Sequence, residues 1–192
     1  MLLAAISGAL RRYLEDQDQP TDGVEIRAMV PVSLRQPHEM GQLGNRFGLI
    51  LLTLPVGARD PSERLAIMKR RMDEIKKSPE AVVAFGILNT IGLTPTEVEH
   101  IIVDIFAAKV TAVMTNVPGP REPLYLAGSR MTELMFWVPA ASHLGLGISI
   151  LSYAGSVMVG IMTDACVVSD PLAIAENFNV ELREMRDLFV SE

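Results

Sequence analysis

Three histidines are the side chains that would carry acid–base chemistry in this 192-residue chain, and their surroundings differ. Glu99-His100-Ile101-Ile102-Val103-Asp104 puts an aspartate one helical turn after an imidazole, a spacing that can orient a general base. The same predicted helix carries Glu97 and Glu99, so a solvated charged face accounts for the pair with no chemistry at all. His143 follows Ser142 in a predicted loop, and His38 stands between Pro37 and Glu39 in an exposed one. A single cysteine, Cys166, excludes an internal disulfide and any zinc site built on several thiolates, which fits a reducing compartment. Paired-His metal motifs, EF-hand loops, Walker loops and Gly-x-Ser-x-Gly elbows do not occur in the sequence. Gly145-Leu146-Gly147 lacks the third glycine of a dinucleotide fingerprint and lies within a strand-like run, not ahead of a helix. The expectation is no metal site and no nucleotide fold.

A second kind of candidate is the stretch Asn116-Val117-Pro118-Gly119-Pro120, where a β-like run from Val110 stops. Pro118 and Pro120 fix φ and donate no backbone hydrogen bond, Gly119 is conformationally free, and the Asn116 carboxamide can both donate and accept. A stiff loop at a strand end can hold polar groups in place at a site. A tight turn between two strands is the plainer account of the same residues.

The elements that would position these groups are marked by periodicity and by helix-start signals. Leu3, Ile6, Leu10, Tyr13 and Leu14 share a face at helical spacing, predicting an amphipathic helix over residues 2–14. It has no capping residue ahead of it, so the chain is expected to be cut from a longer one. Val24, Ile26, Ala28, Val30 and Val32 alternate as in a half-buried strand. The apolar run Phe47 to Val56 suits a central strand covered on both faces. Asp60-Pro61, Ser78-Pro79 and Thr94-Pro95 each mark a helix start, and the second of these helices is apolar nearly all round, as if buried or against lipid. Strands are then expected at 110–116, 124–126, 131–138, 144–153 and 156–163, with Ala154-Gly155 turning a hairpin, before Asp170-Pro171 opens a last helix. The sum is an α+β fold, an α/β sandwich of a mixed β-sheet with packed helices, in one domain over residues 1–192.

Bulk properties narrow the partners. A hydrophobic share of 49% can bury a core, yet every apolar run is interrupted well before the ~20 residues that a spanning helix needs. Net charge is −6, the aromatic share is 5%, and the basic residues Lys69-Arg70-Arg71 and Lys76-Lys77 are interleaved with acids, so nucleic acid is a poor partner. The opening residues lack the basic start and cleavage pattern of an export signal, which makes the cytoplasm the expected location.

Several phrases occur in a telling order: Leu3-Ala4-Ala5-Ile6-Ser7-Gly8-Ala9-Leu10-Arg11-Arg12-Tyr13-Leu14, Val30-Pro31-Val32-Ser33-Leu34-Arg35, Gly44-Asn45-Arg46, Asn116-Val117-Pro118-Gly119-Pro120, Ser152-Tyr153-Ala154-Gly155, and Asp164 ahead of Asp170-Pro171. In that series the chain resembles the C-terminal domain of the bacterial wax ester synthase/diacylglycerol acyltransferase family over nearly its whole length. The resemblance implies one half of the CoA-dependent acyltransferase fold, the chloramphenicol acetyltransferase-like fold, in which two similar halves enclose a tunnel. It also implies transfer of a fatty acyl group from acyl-CoA, a substrate and not a bound cofactor, to a long-chain alcohol or diacylglycerol. The family's base is a histidine of a His-His-x-x-x-Asp-Gly motif in the N-terminal half, and this chain has no such motif. Glu99-His100 to Asp104 keeps the spacing but replaces the first histidine and the glycine, and it lies in the other half of the layout. The family's Asn-Asp pair before the first helix is also absent.

By that resemblance the chain would pair with an N-terminal acyltransferase half, in the same or a separate chain, and would be inactive alone. Asn116, Ser152 and Asn45 are the candidates for polar groups facing the substrate. Pro118, Gly119, Pro120, Tyr153 and Gly155 would shape the loops around them. A homo-oligomer, and a lipid surface at a membrane or lipid droplet, are further partners that an apolar half-enzyme would suit. The alternative of another class is a non-catalytic module that binds acyl chains or CoA, or that self-associates.

Overall fold

The structure is a computed structural model, and it describes residues 1–39, 43, 46–91, 109–138 and 144–190. Helix α1 (Leu2–Asp16) buries a face of small residues, Ala4, Ala5, Ser7, Gly8 and Ala9, together with Ile6, Leu10 and Tyr13, which lets it lie close to its neighbours. Strands β1 (Ile26–Ser33) and β2 (Phe47–Leu54) pair antiparallel through eight residues each. Helix α2 (Pro61–Lys77) starts where expected, because the Asp60 side chain accepts from Glu63 N at 2.8 Å. Helix α3 (Glu80–Ile91) follows, with Ser78 Oγ accepting from Glu80 N at 3.0 Å. The helix start expected at Thr94-Pro95 falls outside the described residues.

Strand β3 (Ala112–Pro118) runs parallel to β1, and the two-residue strands β4 (Tyr125–Leu126) and β5 (Ser129–Arg130) form a small hairpin. Strands β6 (Leu146–Tyr153) and β7 (Ser156–Thr163) make the expected hairpin, with Ala154 at φ 45° and Gly155 at φ 86°. Helix α4 (Pro171–Val190) closes the fold, the Asp170 carboxylate accepting from Ala173 N at 3.2 Å. The main sheet has the order β2-β1-β3-β6-β7, parallel at its two inner joints and antiparallel at both edges. The fold is the expected α+β class with a mixed sheet. The even-numbered residues Ala28, Leu52, Leu54, Ala112, Met114, Leu146, Ile148 and Ile150 face the core, along with Ile174, Phe178 and Met185 of α4.

Three sequence expectations change. Strand β2 is an edge strand, not a central one, and its burial alternates, leaving Phe47 and Leu51 exposed. Its free edge is closed by side chains: Arg71 Nη1 donates to Thr53 O at 2.8 Å and the Glu80 carboxylate accepts from Leu51 N at 3.0 Å. Helix α3 is not buried all round. Its Ala81 lies against Gly48, but Val82, Val83 and Ile87 point outward.

The third change is at residues 131–138, which are extended but join no strand. They cross the face of the sheet instead of extending its edge. Tyr153 Oη donates to Met131 O at 2.9 Å and Ser149 Oγ donates to Phe136 O at 2.6 Å, so strand side chains, not a ladder, satisfy those carbonyls. Gly147, Ser149 and Gly160 are small where the segment passes: a Cβ at Gly160 would stand 3.3 Å from both Met135 Sδ and Phe136 O.

Candidate functional site

The parallel register of β3 and β6 sets Pro118 opposite Ser152, so the ends of two motif-bearing strands coincide. The loop after β3 and the hairpin after β6 are stapled together there. Gly119 N donates to Ser152 Oγ at 3.2 Å, and Ala154 N donates to Pro120 O at 2.9 Å. Glycine is required at 119, since a Cβ built on it would overlap the carbonyl oxygen of Ser152. Tyr153, 1% exposed, fixes the other side of the junction: its hydroxyl accepts from Leu124 N at 2.8 Å while donating to Met131 O. One phenol therefore ties β6 to the start of the small hairpin and to the crossing segment.

Of the candidate polar groups, Asn116 and Ser152 both lie exposed at the C-terminal ends of adjacent parallel strands, the usual position of ligand sites on such sheets. Both belong to the core-facing set of alternate residues, beyond the point where the helices cover it. The Asn116 carboxamide makes no hydrogen bond to the described residues, which leaves its donors and acceptor free. Pro118, Gly119, Pro120, Tyr153 and Gly155 stand around the same junction. Asn45 lies outside the described residues, as do His100, Asp104, Ser142 and His143. His38 is exposed in a short turn of 3₁₀ helix, Pro37–Glu39, after β1. No hydrogen bond joins Ser152 to a base among the described residues, and no group of three His, Cys, Asp or Glu among them could hold a metal ion. The junction presents hydrogen-bonding groups, and among the described residues no base is bonded to them.

Sequence reading missed an ionic cluster among the helices. Arg64 of α2 and Glu181 of α4, 1% and 3% exposed, form a buried ion pair. Arg12 Nε of α1 meets the same Glu181 at 2.6 Å and its Nη2 meets Glu184 at 2.6 Å. Hydrogen bonds to Glu181 hold the Arg12 guanidinium pKa above its usual value, whereas desolvation pulls that of Arg64 down. Gly8 makes the room, for a Cβ there would overlap the Glu181 carboxylate. A signal was present: Ile174, Phe178 and Met185 mark the buried stripe of α4, and Glu181 interrupts it at helical spacing.

A family model described as the WS/DGAT C-terminal domain matches residues 43–186. The chain belongs to that family. Its WS/DGAT relatives include a probable diacylglycerol O-acyltransferase of Mycobacterium tuberculosis, 31% identical over 88% of this chain and 37% of the relative. The O-acyltransferase WSD of Acinetobacter baylyi is 32% identical over 98% of this chain and 40% of its own length. The chain thus spans about two fifths of the length of the curated relatives it matches. The same fold occurs in the wax ester synthase/diacylglycerol acyltransferase of Marinobacter aquaeolei VT8, with a TM-score of 0.66 and 24% identity over 96% of this chain and 42% of that one. The resemblance read from the motifs and the fold class expected from it are both borne out. No helix among the described residues is long and apolar enough to cross a membrane.

Proposed function

We propose that this chain is the half of an acyl-CoA-dependent O-acyltransferase that closes the acyl-transfer cleft opposite the catalytic histidine, and that alone it forms no ester. The observation that carries this reading is the junction of the 116–120 loop with the 152–155 hairpin, which offers polar groups and, among the described residues, no base bonded to them, in a chain of this family. Acyl-CoA is the donor, a long-chain alcohol or diacylglycerol the acceptor, and an N-terminal half in the same or a separate chain the partner. That half's histidine takes the acceptor's hydroxyl proton as the oxygen attacks the thioester carbonyl. The Asn116 carboxamide and the Ser152 hydroxyl, whose proton is not committed to the Gly119 N–H, donate to the oxygen on which charge develops. The stapled loops hold both donors in place.

The test is ester formation from palmitoyl-CoA with hexadecanol or diacylglycerol, by the chain alone and with an N-terminal half carrying His-His-x-x-x-Asp-Gly. Turnover only in the combination is expected. Turnover by the chain alone, abolished by His100→Ala, would overturn both the reading and the dismissal of His100.

The exposed side chains of Val82, Val83 and Ile87, and of Leu124, Tyr125 and Leu126, favour a second reading in part: a surface that meets lipid, the other half, or another copy of the chain. A sedimentation run showing a stable monomer, with no acyl-CoA binding, counts against a purely binding or self-associating module. The location that suits either reading is the cytoplasm, at the periphery of a membrane or lipid droplet.

A further inference from the structure

Strands β1 and β3 are neighbours in the sheet, yet they pair at only two positions, Ala28 with Ala112 and Met29 with Val113. Beyond them β1 continues to Ser33 fully paired to β2, and β3 continues to Pro118 fully paired to β6. The sheet therefore forks between its second and third strands, towards the same end as Asn116 and Ser152.

The cause is legible in the hydrogen-bond alternation. Leu34 N donates to Arg46 O, which places the even-numbered β1 residues towards β2 and the odd-numbered ones towards β3. Arg27 O accepting from Thr111 N agrees with that parity. In the observed register the next rungs would be Pro31 N to Met114 O, Asn116 N to Pro31 O, Ser33 N to Asn116 O, and Pro118 N to Ser33 O. Two of those four donors are prolines and have no N–H. Proline in a central strand is otherwise disfavoured, and here both prolines sit on the sides that face each other across the fork.

The fork is consequently rich in acceptors. The carbonyls of Pro31, Ser33, Met114 and Asn116 line it against the N–H groups of Asn116 and Ser33 alone. Met114 is buried, and Val30, Pro31 and Val32 are half-buried, so an alkyl chain lying there would leave carbonyls dry and unpaired. An extended ligand carrying amide N–H groups satisfies them as a strand would. We propose that Pro31 and Pro118 hold the sheet open so that the fork receives the amide-bearing pantetheine arm of acyl-CoA, with its thioester delivered at the Asn116–Ser152 end. The choice of ligand rests on the acyltransferase reading above. The fork itself rests on register and proline placement.

The probe is CoA added to the isotope-labelled chain, read by amide NMR. The Ser33 and Asn116 amide signals are expected to shift and to exchange more slowly with solvent. Pro31→Ala with Pro118→Ala supplies the two missing donors. It is expected to show a new protected amide at position 31 and about tenfold weaker CoA binding, the loss of one or two amide hydrogen bonds. CoA shifts confined to other residues, no CoA binding by the unmodified chain, or a solvent-exchanging amide at position 31 in a folded double variant would each overturn the proposal. A variant that does not fold is replaced by Pro31→Ala alone, judged by the same amide. Ester formation by the combined halves with silent fork amides refutes the fork and spares the acyltransferase reading. Fork amides that respond to CoA in a combination making no ester do the reverse.

Discussion

Replacing Glu181 with glutamine keeps its shape and removes one charge, at the point where three helices meet. In the unmodified protein Glu181 accepts from Arg64 and from Arg12 Nε, the latter at 2.6 Å. Arg64 is 1% exposed, its other described hydrogen bonds run to Ala58 O at 3.0 Å and Arg59 O at 3.4 Å, and its Nε has no partner. With Glu181→Gln the guanidinium stays buried with no anion, and stranding one member of a buried pair costs about 3–5 kcal/mol. The Arg12 side chain is 36% exposed, so its lost bond adds at most about 1 kcal/mol. Against a typical stability of about 5–15 kcal/mol this is a large fraction.

For a chain of this size each kcal/mol lowers Tm by roughly 2–4 °C, which sets the expected fall at roughly 6–24 °C. Urea unfolding followed by circular dichroism should show an earlier midpoint at an unchanged slope. Arg64→Met should cost less than Glu181→Gln, because Glu181 then still has Arg12. The double variant Arg64→Met with Glu181→Leu should recover most of the loss, since an apolar pair of similar volume replaces a buried ion pair at little cost. A Glu181→Gln protein melting within about 2 °C of the unmodified one would refute the reasoning, since that corresponds to about 1 kcal/mol or less at the buried pair.

Other outcomes follow from the junction. Gly119→Ala drives a Cβ into the Ser152 carbonyl and should cost about 1–3 kcal/mol in urea unfolding, with ester formation by the combined halves lost more steeply than stability. Tyr153→Phe removes two hydrogen bonds, to Leu124 N and Met131 O, and should cost about 1–3 kcal/mol, with faster amide exchange at Leu124 as its local signature. Ser152→Ala loses one exposed hydrogen bond and should change stability by less than about 1 kcal/mol, while lowering kcat of the combined halves more than it raises KM. Val82→Glu with Val83→Glu should leave stability within about 0.5 kcal/mol, these side chains being exposed, and should reduce sedimentation with phospholipid vesicles if α3 meets lipid.

The residue order alone determined the family, the fold class and the main element starts. Asp60, Ser78 and Asp170 announce helices because a side-chain oxygen beside an opening helix satisfies an orphan amide wherever the fold later places it. Ala154-Gly155 announces a hairpin because the turn itself demands positive φ. These are local constraints and need no neighbours. Tertiary structure decided what depends on the distance between remote segments. It put β2 at an edge, because side chains of α2 and α3 can satisfy the outward N–H and C=O that a run of leucines cannot reveal. It kept residues 131–138 out of the sheet, because Tyr153 and Ser149 reach their carbonyls from below.

It also united Arg12, Arg64 and Glu181, which lie far apart in the chain and read singly as surface charges. The 116–120 loop shows both sides of this division. Its stiffness follows from two prolines and a glycine in sequence. That Gly119 must be glycine, and that Pro118 and Pro31 lie on the facing sides of β3 and β1, follow only from β3 lying between β6 and β1.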